Sequence, residues 1–171
     1  RQRAGLQLLY KKGATRTADD VLREGGTLAF IADQNAGRKG LFVDVFGRPA
    51  STYKSIALLA ITHNAPIIVG FARRLSRRFE YQISVNRIIY PHEWQGRDDE
   101  VRWITQEYTR AIEAFVRRWP DQYLWVHRRW KTQPPASRMR TCRPAAADSR
   151  PPQTHPQARP DSPKQAATTQ P

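Results

Sequence analysis

From Pro134 to the C-terminus the chain contains no Phe, Trp, Tyr, Ile, Leu or Val, yet it carries nine of the 13 prolines there. Such a segment cannot bury enough apolar surface to offset a backbone ordering entropy of about 1–2 kcal/mol per residue. Residues 134–171 are therefore expected to be a disordered, Pro-rich basic tail. Any fold is confined to residues 1–133, a length that suits one domain with a real core. The charge follows both regions: 23 Lys+Arg against 13 Asp+Glu in residues 1–133, and six against two beyond. The net +14 is thus not a basic tail on a neutral body. It excludes an acidic solubilising protein, and the composition excludes a collagen-like chain. One cysteine, Cys142, excludes a disulfide framework and a Cys-based zinc site. The chain opens on Arg1 and its only methionine is Met139, so a processed product or a piece of a longer chain is expected.

Residues 1–133 alternate helix and strand signals. Thr17 is expected to cap a short helix with Asp19 and Asp20 in its first turn, closed by Gly25-Gly26. Residues 27–31 read as a buried strand and residues 41–46 as another, ended by Gly47-Arg48-Pro49. Ser51 or Thr52 is expected to cap a helix to His63, apolar around most of its circumference and so buried. Asn64 suits a left-handed C-cap before Pro66. Residues 67–72 read as a strand covered on both faces, and residues 79–90 as a longer one with Tyr81, Ile83 and Val85 alternating with polar residues. Residues 98–119 form the clearest amphipathic helix, with Val101, Ile104, Tyr108, Ile112, Phe115 and Trp119 at helical spacing and Asp98–Arg102 and Glu113–Arg117 as supporting pairs. One more short helix is expected over residues 122–130. Strands separated by helices point to an α/β layer fold. No segment reads as a signal peptide or transmembrane helix.

No catalytic constellation is visible. None of His63, His92, His127 and His155 is followed five residues later by a carboxylate. There is no nucleophile elbow, phosphate-binding loop, dinucleotide fingerprint or metal-ligand pair, so neither cofactor nor metal is expected. Two segments carry candidate binding chemistry. In Asp33-Gln34-Asn35-Ala36-Gly37-Arg38-Lys39-Gly40, Arg38 and Lys39 could hold a phosphate or carboxylate, and a helix N-terminus near Thr52 adds an anion site. In Pro120-Asp121-Gln122-Tyr123-Leu124-Trp125-Val126-His127-Arg128-Arg129-Trp130-Lys131-Thr132, cations alternate with aromatics. That pattern suits a membrane interface or stacking on nucleic-acid bases, and it equally suits a helix packing Trp125 and Trp130 onto a core.

These segments resemble the bacterial lipid A biosynthesis acyltransferases, the lauroyl and myristoyl transferases of the lysophospholipid acyltransferase superfamily. Ala32-Asp33-Gln34-Asn35 is similar to the family's Asp-Gln-Asp/Asn segment. Phe42-Val43, Phe46-Gly47, Pro49-Ala50 and Thr52 follow its Phe-Val-x-x-Phe-Gly-x-x-Ala-x-Thr pattern. Leu58-Leu59-Ala60, Ala65-Pro66 and Arg73-Arg74 continue the likeness. Residues 120–132 resemble its signature Pro-Glu-Gln-Tyr-x-Trp-x-His-Arg-Arg-Phe-Lys-Thr. The resemblance covers residues 1–133 and implies a layered fold with a central, mostly parallel sheet flanked by helices.

It also implies transfer of a fatty acyl chain from acyl carrier protein or acyl-CoA to a hydroxyl of a lipid A precursor-type glycolipid. The reaction would take place at the cytoplasmic face of the bacterial inner membrane, against an anionic surface. The family's catalytic His-x4-Asp/Glu motif is absent from these residues, so no catalytic residue is assigned and the chain alone is expected to be an inactive, truncated part. By the same resemblance Asp33, Gln34, Arg38 and Lys39 line the lower acceptor site. Phe46 and Gly47 shape the wall near the acyl chain, and Thr52 caps the following helix. Trp125, Arg128, Arg129, Trp130 and Lys131 are the expected membrane-interface residues, with His127 structural. A noncatalytic basic fragment, or a module binding nucleic acid or another anionic surface, is the alternative; nucleic acid is the less expected partner because its recognisable motifs are missing.

Overall fold

The computed structural model describes residues 7–9 and 14–135. The expected tail, beyond its first two prolines, lies outside them. In chain order the elements are α1 (Ala14–Arg23), β1 (Leu41–Val45), β2 (Arg48–Thr52), α2 (Ser55–His63), β3 (Ile67–Arg74), β4 (Tyr81–Ile89), α3 (Pro91–Trp94) and α4 (Glu100–Arg118). Single 3₁₀ turns occupy Gly37–Lys39 and Pro120–Gln122.

The class is mixed α and β, but the sheets are antiparallel. β1 pairs with β2 and β3 with β4, giving two separate hairpins in place of the expected mostly parallel sheet. The reason lies with residues 27–31, which have strand-like composition but no strand partner. They run as an unpaired segment with Phe30 and Ile31 exposed, across an open groove of about 890 Å³ from β3. A strand exists only through its neighbour's hydrogen bonds, and among the described residues none reaches this segment's backbone.

α4 is the spine. Asp99 caps it by accepting from the Arg102 N–H at 2.9 Å. Its inner face buries Ile104, Tyr108, Ala111, Phe115 and Val116. Around Ile104, Tyr108 and Ala111 gather Ile56, Ala57 and Ala60 of α2, Val69 and Ile89 of the second hairpin, and Trp94 of α3. Glu113 and Arg117 pair at 2.6 Å as expected, whereas Arg102 pairs with Asp99 rather than Asp98. α2 buries one face, Ile56, Ala57 and Ala60, and leaves Leu58 exposed. Its apolar circumference therefore overstated its burial, because only one side meets α4. Asn64 does take the left-handed C-cap at φ 49°, its N–H reaching Ala60 and Ile61 carbonyls.

Other boundaries shift for local reasons. α1 begins at Ala14, so Thr17 lies inside it and does not cap it. Asp19 instead meets Arg23 at 2.9 Å and the half-buried His63 at 2.8 Å. Gly25 at φ +75° ends α1, and Gly26 N–H reaches back to the Val21 carbonyl. β2 occupies residues that read as a terminator and a helix cap. Pro49 is tolerated because β2 pairs on one side only. The N-cap of α2 is Lys54, with no side-chain cap, while Ser51 and Thr52 are buried in β2. β3 is covered on one face, where Phe71 stacks on Phe115 at 4.0 Å. Its other face leaves Ile68 exposed, and Tyr81, Ile83 and Val85 of β4 are exposed as well. Residues 123–130 form turns, not a helix. No helix among the described residues is long and apolar enough to cross a membrane.

α3 is held by charge. The Tyr90 N–H donates to Glu93 Oε1 at 2.8 Å, and Arg87 Nη2 donates to Glu93 Oε2. Burial pushes the Glu93 carboxyl up, but the Tyr90 N–H and the Arg87 guanidinium outweigh it, so it stays below the usual glutamate range. Its stabilisation is therefore complete above the ordinary glutamate pKa and lost as pH falls through the depressed folded value. Glu93→Gln is expected to cost about 1–3 kcal/mol at neutral pH. The same change should shrink the loss of melting temperature between neutral and acid pH. An acid limb identical to the parent's would remove Glu93 from this role.

Candidate functional site

The candidate site is built where the segment before β1 and the segment after α4 meet on the first hairpin. Glycine permits the closest contact. A Cβ on Gly40 would lie 2.1 Å from Ser51 Oγ and 3.0 Å from the Thr52 carbonyl oxygen. The bare backbone lets the 3₁₀ turn carrying Arg38 and Lys39 lie against β2. Ser51 Oγ donates to the Gly37 carbonyl at 2.5 Å, and the Ala36 N–H donates to the Ser51 carbonyl at 3.1 Å.

The C-terminal segment locks onto this layer. Asn35 N–H donates to His127 Nε2 at 2.9 Å, so this ring nitrogen serves as the acceptor. Asn35 Nδ2 donates to Thr132 Oγ1 at 3.0 Å, and Tyr123 OH to the Asp33 carbonyl at 3.3 Å. Arg129 goes deepest. It is 3% exposed, and its Nη1 and Nη2 donate to the Ser51 carbonyl and Thr52 Oγ1, both at 2.6 Å. Burial pulls its guanidinium below the ordinary arginine range, opposed by Tyr123, Tyr108, Asp33 and Tyr53. Burial likewise pushes the Tyr123 phenol up, with Asp33 adding to the shift and Arg129 opposing it.

At the other end of the hairpin, Phe46 and Gly47 form the two-residue turn, both at positive φ (54° and 75°). For a bulky side chain this conformation is strained. α4 holds it: the Phe46 N–H donates to Glu113 Oε2 at 2.8 Å, and the Arg117 guanidinium lies 5.0 Å from the ring centre. Trp125 and Trp130 flank the same ring at 6.3 and 6.5 Å.

The sequence-predicted residues therefore separate into groups. Asp33 and Phe46 share the wall of a cavity of about 10 Å³, room for one water, with Arg129, Tyr123 and Glu113. Gln34 is half-buried beside Asp33. Arg38 and Lys39 are exposed, with no carboxylate partner among the described residues. They stand at the opposite end of β1 from Phe46 and Gly47, about 17 Å away at strand rise. Thr52 does not cap α2; its hydroxyl accepts from Arg129.

Of the expected membrane-interface residues, Trp125, Arg128 and Lys131 are exposed. Arg129 is buried, because its fork is satisfied inside the protein, and Trp130 is half-buried against Phe46 and Arg48. Sequence reasoning missed Tyr123, Glu113 and Gln106. Gln106 clamps the Asp44 backbone, accepting from its N–H at 2.8 Å and donating to its carbonyl at 3.0 Å. For Gln106 and Glu113 the local signal was polar character on the amphipathic α4, and for Tyr123 its place within the segment 120–132. Among the described residues no three His, Cys, Asp or Glu side chains could hold a metal ion.

The chain also has relatives. The family described as bacterial lipid A biosynthesis acyltransferase matches residues 1–132. A lipid A biosynthesis palmitoleoyltransferase of Escherichia coli K12 is 30% identical over 117 residues, covering 67% of this chain and 36% of that protein. A lipid A biosynthesis lauroyltransferase of the same organism is 28% identical over 116 residues, 67% and 37% of the two chains. A Haemophilus influenzae lipid A biosynthesis acyltransferase is 24% identical over 127 residues, 74% and 38%. The chain thus spans little more than a third of the length of the curated relatives it matches.

The arrangement makes Arg129 the test of the site's architecture. Arg129→Lys offers one ammonium where two fork bonds are needed. It is expected to cost about 1.5–3 kcal/mol in thermal or denaturant unfolding and to speed proteolysis within residues 120–133. A melting curve that overlays the parent's would show that the guanidinium does not hold these segments together.

Proposed function

Because the chain belongs to the bacterial lipid A biosynthesis acyltransferase family, we propose that it supplies the acceptor side of an acyltransferase acting on a membrane glycolipid. In this reaction an acceptor hydroxyl attacks the carbonyl of a fatty acyl thioester carried by acyl carrier protein or coenzyme A. A base takes the hydroxyl proton, and the thiol leaves. No histidine here has a carboxylate five residues on, so the base and its orienting acid are assigned to sequence outside these 171 residues.

What this chain's own residues do is bind and orient. Arg38 and Lys39, without a carboxylate partner among the described residues, attract the phosphate of a lipid A precursor. Asp33 and Gln34 position the sugar beside them. Phe46 and Gly47 form a rigid wall, braced by Glu113 and Arg117. The observation that carries the reading is the position of Asp33. It lines the 890 Å³ groove together with Phe30, Ile31, Ile68 and Phe71, an apolar surface suited to a fatty acyl chain. The protein would work at the cytoplasmic face of the inner membrane.

The test joins the chain to the reading frame that precedes it in its coding DNA. The joined protein is assayed for transfer from acyl carrier protein to a phosphorylated lipid A precursor in detergent. Transfer is expected from the joined protein and none from the 171 residues alone. Arg38→Ala with Lys39→Ala should raise KM for the acceptor about tenfold or more, with kcat changing far less. Turnover by the isolated chain, or a double variant with unaltered KM, would overturn the assignment.

A further inference from the structure

We propose that the tip of the β3–β4 hairpin docks the protein on an anionic lipid bilayer, a role the sequence pattern had placed at residues 125–131. The inference rests on the reading that the acceptor is a membrane glycolipid.

The tip is built to present its side chains outward. The Leu75 N–H donates to the Glu80 carbonyl at 2.9 Å and closes the loop. Arg74 turns inward: its Nε donates to the Arg78 carbonyl at 3.2 Å and its Nη2 to the Arg77 carbonyl at 2.6 Å. Ser76 Oγ accepts from the Arg78 N–H at 3.1 Å and donates to Glu80 Oε2 at 2.8 Å, so the loop's one carboxylate is engaged within it. Arg73 is spent on Gln82 and on the Trp119 ring. The strand end is tied to the 3₁₀ turn after α4 through the Arg74 N–H and Gln122 Oε1 at 3.2 Å.

What the brace leaves outward is Arg77 and Arg78, neither in an ion pair among the described residues, and Phe79, 91% exposed. Along the same strand Tyr81, Ile83 and Val85 continue an exposed apolar row, with Ile83 82% exposed. Residues 73–81 hold four arginines against Glu80. A pinned loop carrying two free cations beside an exposed aromatic, above an apolar strand face with no carboxylate on it, complements anionic headgroups over hydrocarbon. A water-facing role gives no reason to brace Phe79 outward. Residues 125–131 suit a bilayer less, because Arg129 and Trp130 are turned into the protein.

The experiment floats the 171-residue protein with vesicles of phosphatidylcholine alone and of phosphatidylcholine and phosphatidylglycerol in equal amounts. Among the described residues the Arg77 and Arg78 side chains make no hydrogen bond or ion pair, so Arg77→Ala with Arg78→Ala is expected to keep the parent's circular dichroism and melting curve. At low salt it should bind the anionic vesicles about twenty- to thirtyfold more weakly, from about 1 kcal/mol for each arginine near the surface. Phe79→Ser should weaken binding severalfold and leave the remainder fully salt-sensitive. Arg128→Ala with Lys131→Ala should bind within about twofold of the parent, the spread expected where no contact is lost.

Three outcomes would overturn the proposal: no binding by the parent, loss of binding in the Arg128 and Lys131 variant alone, or capture of a single-stranded oligonucleotide as tight as that of the vesicles and indifferent to Phe79→Ser. Vesicle binding that depends on the hairpin, in a joined protein that transfers no acyl chain, sinks the enzymatic reading and leaves the docking surface standing. The converse sinks the surface alone.

Discussion

The buried guanidinium of Arg129 ties the chain's two candidate segments into one site. Its two donors fall on adjacent residues of β2, the carbonyl of Ser51 and the hydroxyl of Thr52. A buried charge this far from water is tolerated only when its hydrogen bonds are made. Once Arg129 is seated, His127 and Thr132 lie within reach of Asn35, and Tyr123 within reach of the Asp33 backbone. The conformation of residues 33–37, which include the proposed acceptor residues Asp33 and Gln34 and lead into Arg38 and Lys39, therefore depends on a residue more than ninety positions away in sequence.

Isolated two-stranded hairpins are marginal in water, and this fold contains two of them. α4 makes both viable through polar side chains as well as its apolar face. Gln106 bonds the Asp44 backbone in both directions, Glu113 holds the Phe46 N–H, and Tyr108 OH donates to the Tyr53 carbonyl at 2.7 Å. On the second hairpin Asn86 reaches across to the Ala111 carbonyl at 2.8 Å. These bonds stand in for the neighbouring strands that each hairpin lacks. They also fix the strained Phe46–Gly47 turn, which would relax if it were free.

The proposed functional surfaces follow from this division. The face of the first hairpin toward α4 and residues 120–132 is filled, and it supports the site from behind. Arg38 and Lys39 are exposed on the 3₁₀ turn that precedes β1 and lies against β2. Residues 27–33 and β3 line an apolar groove, and the loop between β3 and β4 projects cations and an aromatic.

The sequence by itself determined what is local. The spacing of Ile104, Tyr108 and Phe115 set α4, and Asn64 before Ala65-Pro66 set the end of α2. Gly25 set the end of α1, and Asp33 through Gly40 and residues 120–132 were legible as segments because their residue types and order are specific. Tertiary structure decided what depends on partners distant in sequence. Residues 27–31 have the composition of a strand and none of its hydrogen bonds, since among the described residues no strand pairs with them. Tyr81, Ile83 and Val85 alternate as a core face would, yet the face they form is the exposed one, because α4 covers the other. Arg129 reads like the exposed Arg128 beside it, and only the position of the Ser51 carbonyl and the Thr52 hydroxyl draws one inward and leaves the other in water. Periodicity and composition report what a residue is able to bury or bond; which residues do so is settled by the geometry of the groups they meet.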